Sequence, residues 1–174
     1  LWEHVFVHPD CPLYAQLEPL SGDYPGMLGL VPDLTIEEAF EAFASHHAGL
    51  IAKGVRGFKL DECDNSDFIN HPWSFPEHTQ FPSGLDGEQM HSLLGLVYQH
   101  AIAEASWRNG QRTLGQVRAS HALAAPLPFV LYSDLYDHRD FLRGVANCGF
   151  SGLLWSPEFR SCGSFEYLVR RVQP

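Results

Sequence analysis

Cations are scarce in this chain. Lys and Arg number 11 among 174 residues, against 21 Asp and Glu, for a formal net charge of −10. A chain so poor in positive charge cannot neutralise a row of phosphates on one face, which excludes a nucleic-acid partner. Long apolar runs are absent too. None reaches the roughly 18 residues that a membrane-spanning helix needs, so no membrane span is expected. The four cysteines, Cys11, Cys63, Cys148 and Cys162, form no CxxC pair. Their wide spacing fits neither a zinc site nor a disulfide scaffold, and they read as free thiols. Ten histidines are present, but no HExxH occurs, and adjacent His46 and His47 face different directions on a helix, so no metal site is read. GxSxG, P-loop and GxGxxG motifs are missing, which removes the support for nucleophile-elbow hydrolases and for the common nucleotide folds. The chain opens at Leu1 with no basic stretch or cleavage site, and reads as a fragment or a processed chain.

What is present suits a packed core. Hydrophobic residues make up 45% and aromatics 13%, enough for one domain or a piece of a larger one. Residues 1–34 are rich in Pro, Gly and aromatics without a sustained period, and read as an irregular segment. Residues 35–174 then alternate helices with short apolar strands. A first helix follows a Thr35-x-x-Glu38 capping box and carries Ile36, Ala39, Phe40, Phe43, His47, Leu50 and Ile51 at helical spacing, with its stop at Gly54. A second begins at Asp86 as N-cap and ends at Asn109-Gly110. Two more are expected from about His138 to Asn147 and from Ser164 to Val172. The strands are expected at Val55–Leu60, Thr113–Val117, Pro128–Tyr132 and Ser151–Trp155. This alternation is the signature of βα units around a parallel sheet.

Each strand ends in a polar cluster, at Asp61, Arg118, Asp134 and Glu158. Polar groups at the ends of consecutive strands are what a (β/α)₈ barrel brings to its active face, whereas a doubly wound sheet concentrates function at one switch point. Four strands are half of a barrel, which typically takes about 250 residues. The expected fold is therefore α/β, a (β/α)₈ TIM barrel present as a fragment of about four consecutive βα units. One link is short: Arg118 to Leu127 is near the minimum for a parallel crossover.

Asp61 sits where an apolar strand meets a loop, beside Glu62 and Asp64. Three acids in four positions also describe a solvated turn. A calcium loop starting at Asp61 fails, because its sixth position is Ser66 and its twelfth is Pro72. The functional reading of Asp61 is a carboxylate nucleophile on a rigid strand end. Asp134 follows an apolar strand and is flanked by Tyr132 and Tyr136. Apolar surroundings raise a carboxyl pKa, which a general acid needs near neutral pH. The plainer reading is a helix N-cap. Two such carboxylates at one barrel mouth are the minimum apparatus for glycoside hydrolysis, with no cofactor required. Arg118 either binds sugar hydroxyls or holds a carboxylate ionised, or it is a structural ion pair. Trp73 and Trp155 are either sugar-stacking platforms or core. The aperiodic stretch from Asp61 to Asp86, with Trp73, Phe75 and Phe81, is long enough to be functional.

Taken together, these segments resemble glycoside hydrolase family 31, the α-glucosidase and α-xylosidase family. Gly57 to Asp64 resembles its nucleophile strand, and Arg118-Ala119-Ser120 its Arg-Ser segment on the next strand. Tyr132-Ser133-Asp134 lies where the family carries its Gly-Asp acid/base. Gly149-Phe150-Ser151-Gly152 through Glu158 resembles the segment before its seventh-strand acid. The agreement in order and spacing covers roughly residues 20–174. The resemblance implies about the fourth to seventh strands of the barrel, with Asp61 as nucleophile and Asp134 as acid/base. Arg118, Trp155 and Glu158 are then the substrate-binding candidates. The sequence departs from the family at Lys59, where a Trp is frequent, at Glu62-Cys63-Asp64, and at Ser133. The implied activity is a retaining glycosidase acting on α-linked glucosides or related α-glycosides, with a carbohydrate as its partner. Two alternatives stand beside it. One is a non-catalytic carbohydrate-binding or partner-docking module using the aromatic loop 65–85. The other is a transglycosylase or lyase on the same barrel.

Overall fold

The computed structural model describes residues 1–24, 29–63, 75–133, 137–157 and 163–173. Five short strands lie side by side: β1 (Trp2–His4), β2 (Lys59–Asp61), β3 (Gly115–Val117), β4 (Phe129–Ser133) and β5 (Leu154–Pro157). All neighbouring pairs are parallel, and the spatial order equals the chain order. A sheet that never reverses its order has no switch point, so it is built as a barrel wall and not as a doubly wound sheet.

The helices are α1 (Tyr14–Leu17), α2 (Glu37–Ala52), α3 (Gly87–Arg108), α4 (His138–Ser151) and α5 (Phe165–Val172). Their ends follow local chemistry. Asp86 accepts from the Gln89 N–H at 2.9 Å while the Gln89 side chain accepts from the Asp86 N–H at 3.1 Å, a complete capping box for α3. Asp137 caps α4 through the Arg139 and Asp140 N–H groups, and Ser164 caps α5. α4 ends at Gly152, whose φ of +71° is the left-handed conformation that closes a helix without a Cβ clash.

Four expectations are corrected. Residues 1–34 are not irregular throughout, because Trp2–His4 pairs with Lys59–Asp61 as the first strand of the sheet. Three residues are too few to show a period of two, so the sequence pattern could not reveal it. The sheet therefore has five strands, not four. Thr35 does not cap α2: its hydroxyl donates to Asp33 Oδ1 at 2.5 Å, and the helix starts after Ile36 with no side-chain cap. Ser151 belongs to α4, so the last strand begins at Leu154.

Strand alternation divides the sheet into two faces. Leu60, Val117, Leu131 and Trp155 are in register and turn toward the helices. Leu60, Val117 and Leu131 meet a core made chiefly by Ala39, Phe43 and Ile51 of α2 and by Met90, Leu94, Tyr98 and Ile102 of α3, while Trp155 packs on α4. Each buried Leu or Ile here is worth roughly 1.5–3 kcal/mol. Lys59, Gln116, Val130 and Leu154 occupy the opposite face in one row. Two residues further along the chain, Asp61, Arg118, Tyr132 and Ser156 form the next row on that face.

The helix side also buries a polar group. Glu3 of β1 accepts from the Tyr98 hydroxyl at 2.7 Å and faces His47 Nε2 at 3.0 Å, while His47 Nδ1 sits 2.8 Å from the Phe43 carbonyl. This network ties β1 to α2 and α3. Burial and the facing Glu3 carboxylate push the Tyr98 phenol well above its ordinary pKa, so it stays a donor.

Candidate active site

Asp61 is the last residue of β2 and is 2% exposed. Its Oδ1 accepts from the Glu62 N–H at 3.0 Å and from Arg118 Nε in a very short ion pair. Lys59 Nζ stands 3.8 Å from Oδ2. The Tyr132 ring lies under both cations, 4.5 Å from Lys59 Nζ and 4.8 Å from Arg118 Cζ, and its buried hydroxyl forms no hydrogen bond of normal geometry. Burial by itself opposes ionisation of Asp61. The Arg118 guanidinium, the Tyr132 hydroxyl and the Glu62 N–H outweigh it and hold the carboxyl well below the usual carboxylate range. A desolvated carboxylate that stays charged is chemically suited to attack an electrophilic carbon.

The residue that follows is under backbone strain. Glu62 has φ +52°, the only positive φ of a non-glycine residue among the described residues. A non-glycine side chain there costs on the order of 1–3 kcal/mol and persists only where the surroundings enforce it. Here the strained backbone delivers the N–H that Asp61 accepts.

Arg118 follows directly on β3, and its N–H donates to the Leu60 carbonyl at 3.0 Å. The sheet ladder thus sets the Arg118 backbone beside that of Asp61. Behind it, buried Gln99 of α3 sends Nε2 to Ser120 Oγ at 3.2 Å and to the Gly95 carbonyl at 2.8 Å. Gly95 lies so close to the Ala119 carbonyl that a methyl group there would strike it. Gly95 and Gln99 therefore support the turn that carries Arg118. In the sequence both look like ordinary positions of a long helix, and only contact with the 119–120 backbone reveals them.

Among the described residues, one hollow of about 520 Å³ lies toward the N-terminal ends of the strands, lined by Leu1, Gly57, Lys59, Leu114, Gly115 and Gln116 among others, and Asp61, Arg118 and Tyr132 are not in its wall. The other, about 380 Å³, lies between β1 and α2, with Glu3, Phe43, His46 and His47 in its wall. Among the described residues no three His, Cys, Asp or Glu side chains are grouped to hold a metal, and no helix is long and apolar enough to cross a membrane.

The structure brings Asp61 and Arg118 together, and adds Lys59 and Tyr132 to them. Asp134 and Glu158 lie outside the described residues, each directly after the last residue of a strand, Ser133 and Pro157. Trp73 and Asp64 lie outside them as well. Trp155 is not brought to the site. Its ring lies 5.3 Å from that of Phe141 and covers Gly144 of α4, on the helix side of the sheet. Phe75 and Phe81 are core residues, packed edge to face at 5.3 Å, and offer no exposed stacking platform.

The family model for the TIM-barrel domain of glycosyl hydrolases family 31 matches residues 5–165. The chain belongs to glycosyl hydrolase family 31. It is a segment of that family's (β/α)₈ barrel, and the family's members are glycosidases. Solved structures agree on the fold. The chain is similar to the cycloalternan-degrading enzyme from Trueperella pyogenes in complex with cycloalternan, at 17% identity and TM-score 0.66, covering 90% of this chain and 24% of that one. It is similar to a chain of the ER glucosidase II heterodimeric complex consisting of catalytic subunit and the binding domain of regulatory subunit, at 16% identity and TM-score 0.70, covering 90% and 20%. It is also similar to a family 31 sulfoquinovosidase from E. rectale, at 19% identity and TM-score 0.62, covering 76% and 21%. This family 31 chain thus spans between a fifth and a quarter of each of these enzymes. Among curated protein sequences none matches it.

Proposed function

We propose that this chain carries the catalytic strands of a retaining α-glycoside hydrolase, with Asp61 as nucleophile and Asp134 as acid/base. The observation that carries the reading is the state of Asp61, a buried carboxylate kept ionised at a strand end by Arg118. In the first half of the reaction an Asp61 oxygen bonds to the anomeric carbon. The bond to the aglycone oxygen breaks, and Asp134 supplies its proton. In the second half Asp134 takes a proton from water, the water oxygen bonds to the anomeric carbon, and Asp61 leaves as carboxylate. Two inversions retain the configuration. Both steps run on carboxylates, without a cofactor.

Arg118 and Glu158 are assigned to the sugar in the site next to the cleaved bond. Trp155 has no part in this reading, since its ring is used against α4. The substrate class is α-linked glucosides or related α-glycosides, on the strength of the family resemblance.

The test is turnover of an α-glucoside by the full-length protein that contains this segment. Asp61→Ala is expected to lower kcat by several orders of magnitude while leaving the melting temperature within a few degrees. Undiminished turnover would sink the assignment. The anomeric form of the first product, followed by NMR, distinguishes retention from inversion, and product analysis distinguishes release to water from transfer to a second sugar.

A further inference from the structure

The two oxygens of Asp61 have different surroundings. Oδ1 accepts from the Glu62 N–H at 3.0 Å and from Arg118 Nε. Two donors engage both lone pairs of that oxygen. Attack on carbon uses a lone pair, so the reacting oxygen is Oδ2. Lys59 faces that atom. It lies two residues earlier on β2, and strand alternation puts it on the same face as Asp61. Its Nζ stands 3.8 Å from Oδ2, beyond hydrogen-bond reach but within range of a direct Coulombic attraction. The Tyr132 ring holds the ammonium in place, with its centroid 4.5 Å from Nζ. The Lys59 side chain is 31% exposed, whereas Asp61 is buried. The cation keeps part of its hydration beside an anion that has lost its own.

We propose that Lys59 is a positioning residue that steadies the charge on Oδ2, the oxygen of Asp61 that bonds to the sugar. The inference rests on the assignment of Asp61 as nucleophile. In the glycosyl-enzyme Oδ2 is bonded to the anomeric carbon and carries little charge. In the second half the water oxygen bonds to that carbon and Asp134 takes the water's proton. The bond between the carbon and Oδ2 breaks, and its electron pair returns to Oδ2. Lys59 attracts that charge as it forms and so favours release of the sugar. In the first half the same attraction stabilises the free carboxylate and does not help its attack. Loss of the ammonium therefore slows release without slowing capture.

The experiment uses the full-length protein and 5-fluoro-α-glucosyl fluoride, whose fluorine slows both halves enough to trap the intermediate. In the wild type a mass shift on the peptide holding Asp61 is expected. Lys59→Met keeps the length of the side chain and removes its charge. Its trapping rate is expected to equal or exceed that of the wild type. Its reactivation is expected to slow about three- to tenfold, the scale of one part-exposed ion pair. Lys59→Gln, a second neutral variant, is expected to match it should Lys59→Met fold poorly. Lys59→Arg keeps the charge and is expected to reactivate close to the wild-type rate. A merely structural role would slow trapping and reactivation together, and that result overturns the proposal. Reactivation of both neutral variants at the wild-type rate, with Asp61 labelled, overturns it too and leaves the nucleophile assignment standing. An unlabelled Asp61 overturns the assignment, and this proposal with it.

Discussion

Asp61 and Arg118 are joined twice, once by backbone and once by side chain. The Arg118 N–H donates to the carbonyl of Leu60, and its Nε reaches Asp61 Oδ1. The first bond belongs to the β2–β3 ladder and fixes where the second can form. The pair thus combines the rigidity of the sheet with the charge state the chemistry needs.

Arg118→Met leaves a buried carboxylate without its main counter-charge. We expect a loss of about 3–5 kcal/mol in unfolding free energy, the usual cost of breaking a buried pair from one side. Chemical denaturation of the two full-length proteins measures it, and a loss under 1 kcal/mol would show the carboxylate to be satisfied without Arg118.

The same variant has a signature in pH. Asp61 is depressed in the folded protein, so its contribution to stability is present above its unfolded pKa, about 3.9, and disappears as pH falls through the lower folded value. In the wild type Asp61 therefore stays ionised through mildly acidic pH. In Arg118→Met burial dominates and raises its pKa, and the acidic limb of kcat/KM is expected to move to higher pH. An unmoved limb would mean that Arg118 does not set the charge of Asp61.

Gly95→Ala tests the support behind the site. Alanine favours an isolated helix over glycine by about 1 kcal/mol. Here the added methyl meets the Ala119 carbonyl, so the sign is expected to reverse, with a cost of about 1–3 kcal/mol. The shifted turn displaces Arg118, and kcat is expected to fall although residue 95 is remote from substrate. A stabilised, fully active variant would contradict the close packing.

Tyr98→Phe removes the hydroxyl that donates to Glu3. The carboxylate keeps His47 but loses one donor in a buried place, and a cost of about 1–3 kcal/mol is expected. Thermal melting of the full-length protein checks it. No change in melting temperature would show that His47 alone satisfies Glu3.

The 174-residue segment expressed alone is expected to aggregate or to melt without cooperativity. Among the described residues β1 and β5 each pair on one side only, and Phe150 and Phe165 are 95% and 81% exposed. A sharp thermal transition from a soluble monomer would contradict this.

The sequence by itself determined the elements whose signals are local. Asp86 with Gln89, the helical period of α3, and Asn109-Gly110 at its end lie within one segment, so α3 was legible. Polar residues closing successive apolar strands gave the barrel class and selected Asp61 and Arg118, because a strand end is marked by adjacent residues. Tertiary structure decided whatever depends on residues distant in sequence. Trp2–His4 is a strand only because β2 lies beside it. Trp155 shares an aromatic character with sugar-binding platforms, and only the parity of its strand turned it onto α4. Phe75 and Phe81 came from a loop yet fill the core. Tyr132 read as a neighbour of Asp134, but the pleat of β4 and the registers of three strands put it on the same face as Asp61. Side-chain direction follows register, and register is fixed by hydrogen bonds between segments that the linear sequence keeps up to about sixty residues apart.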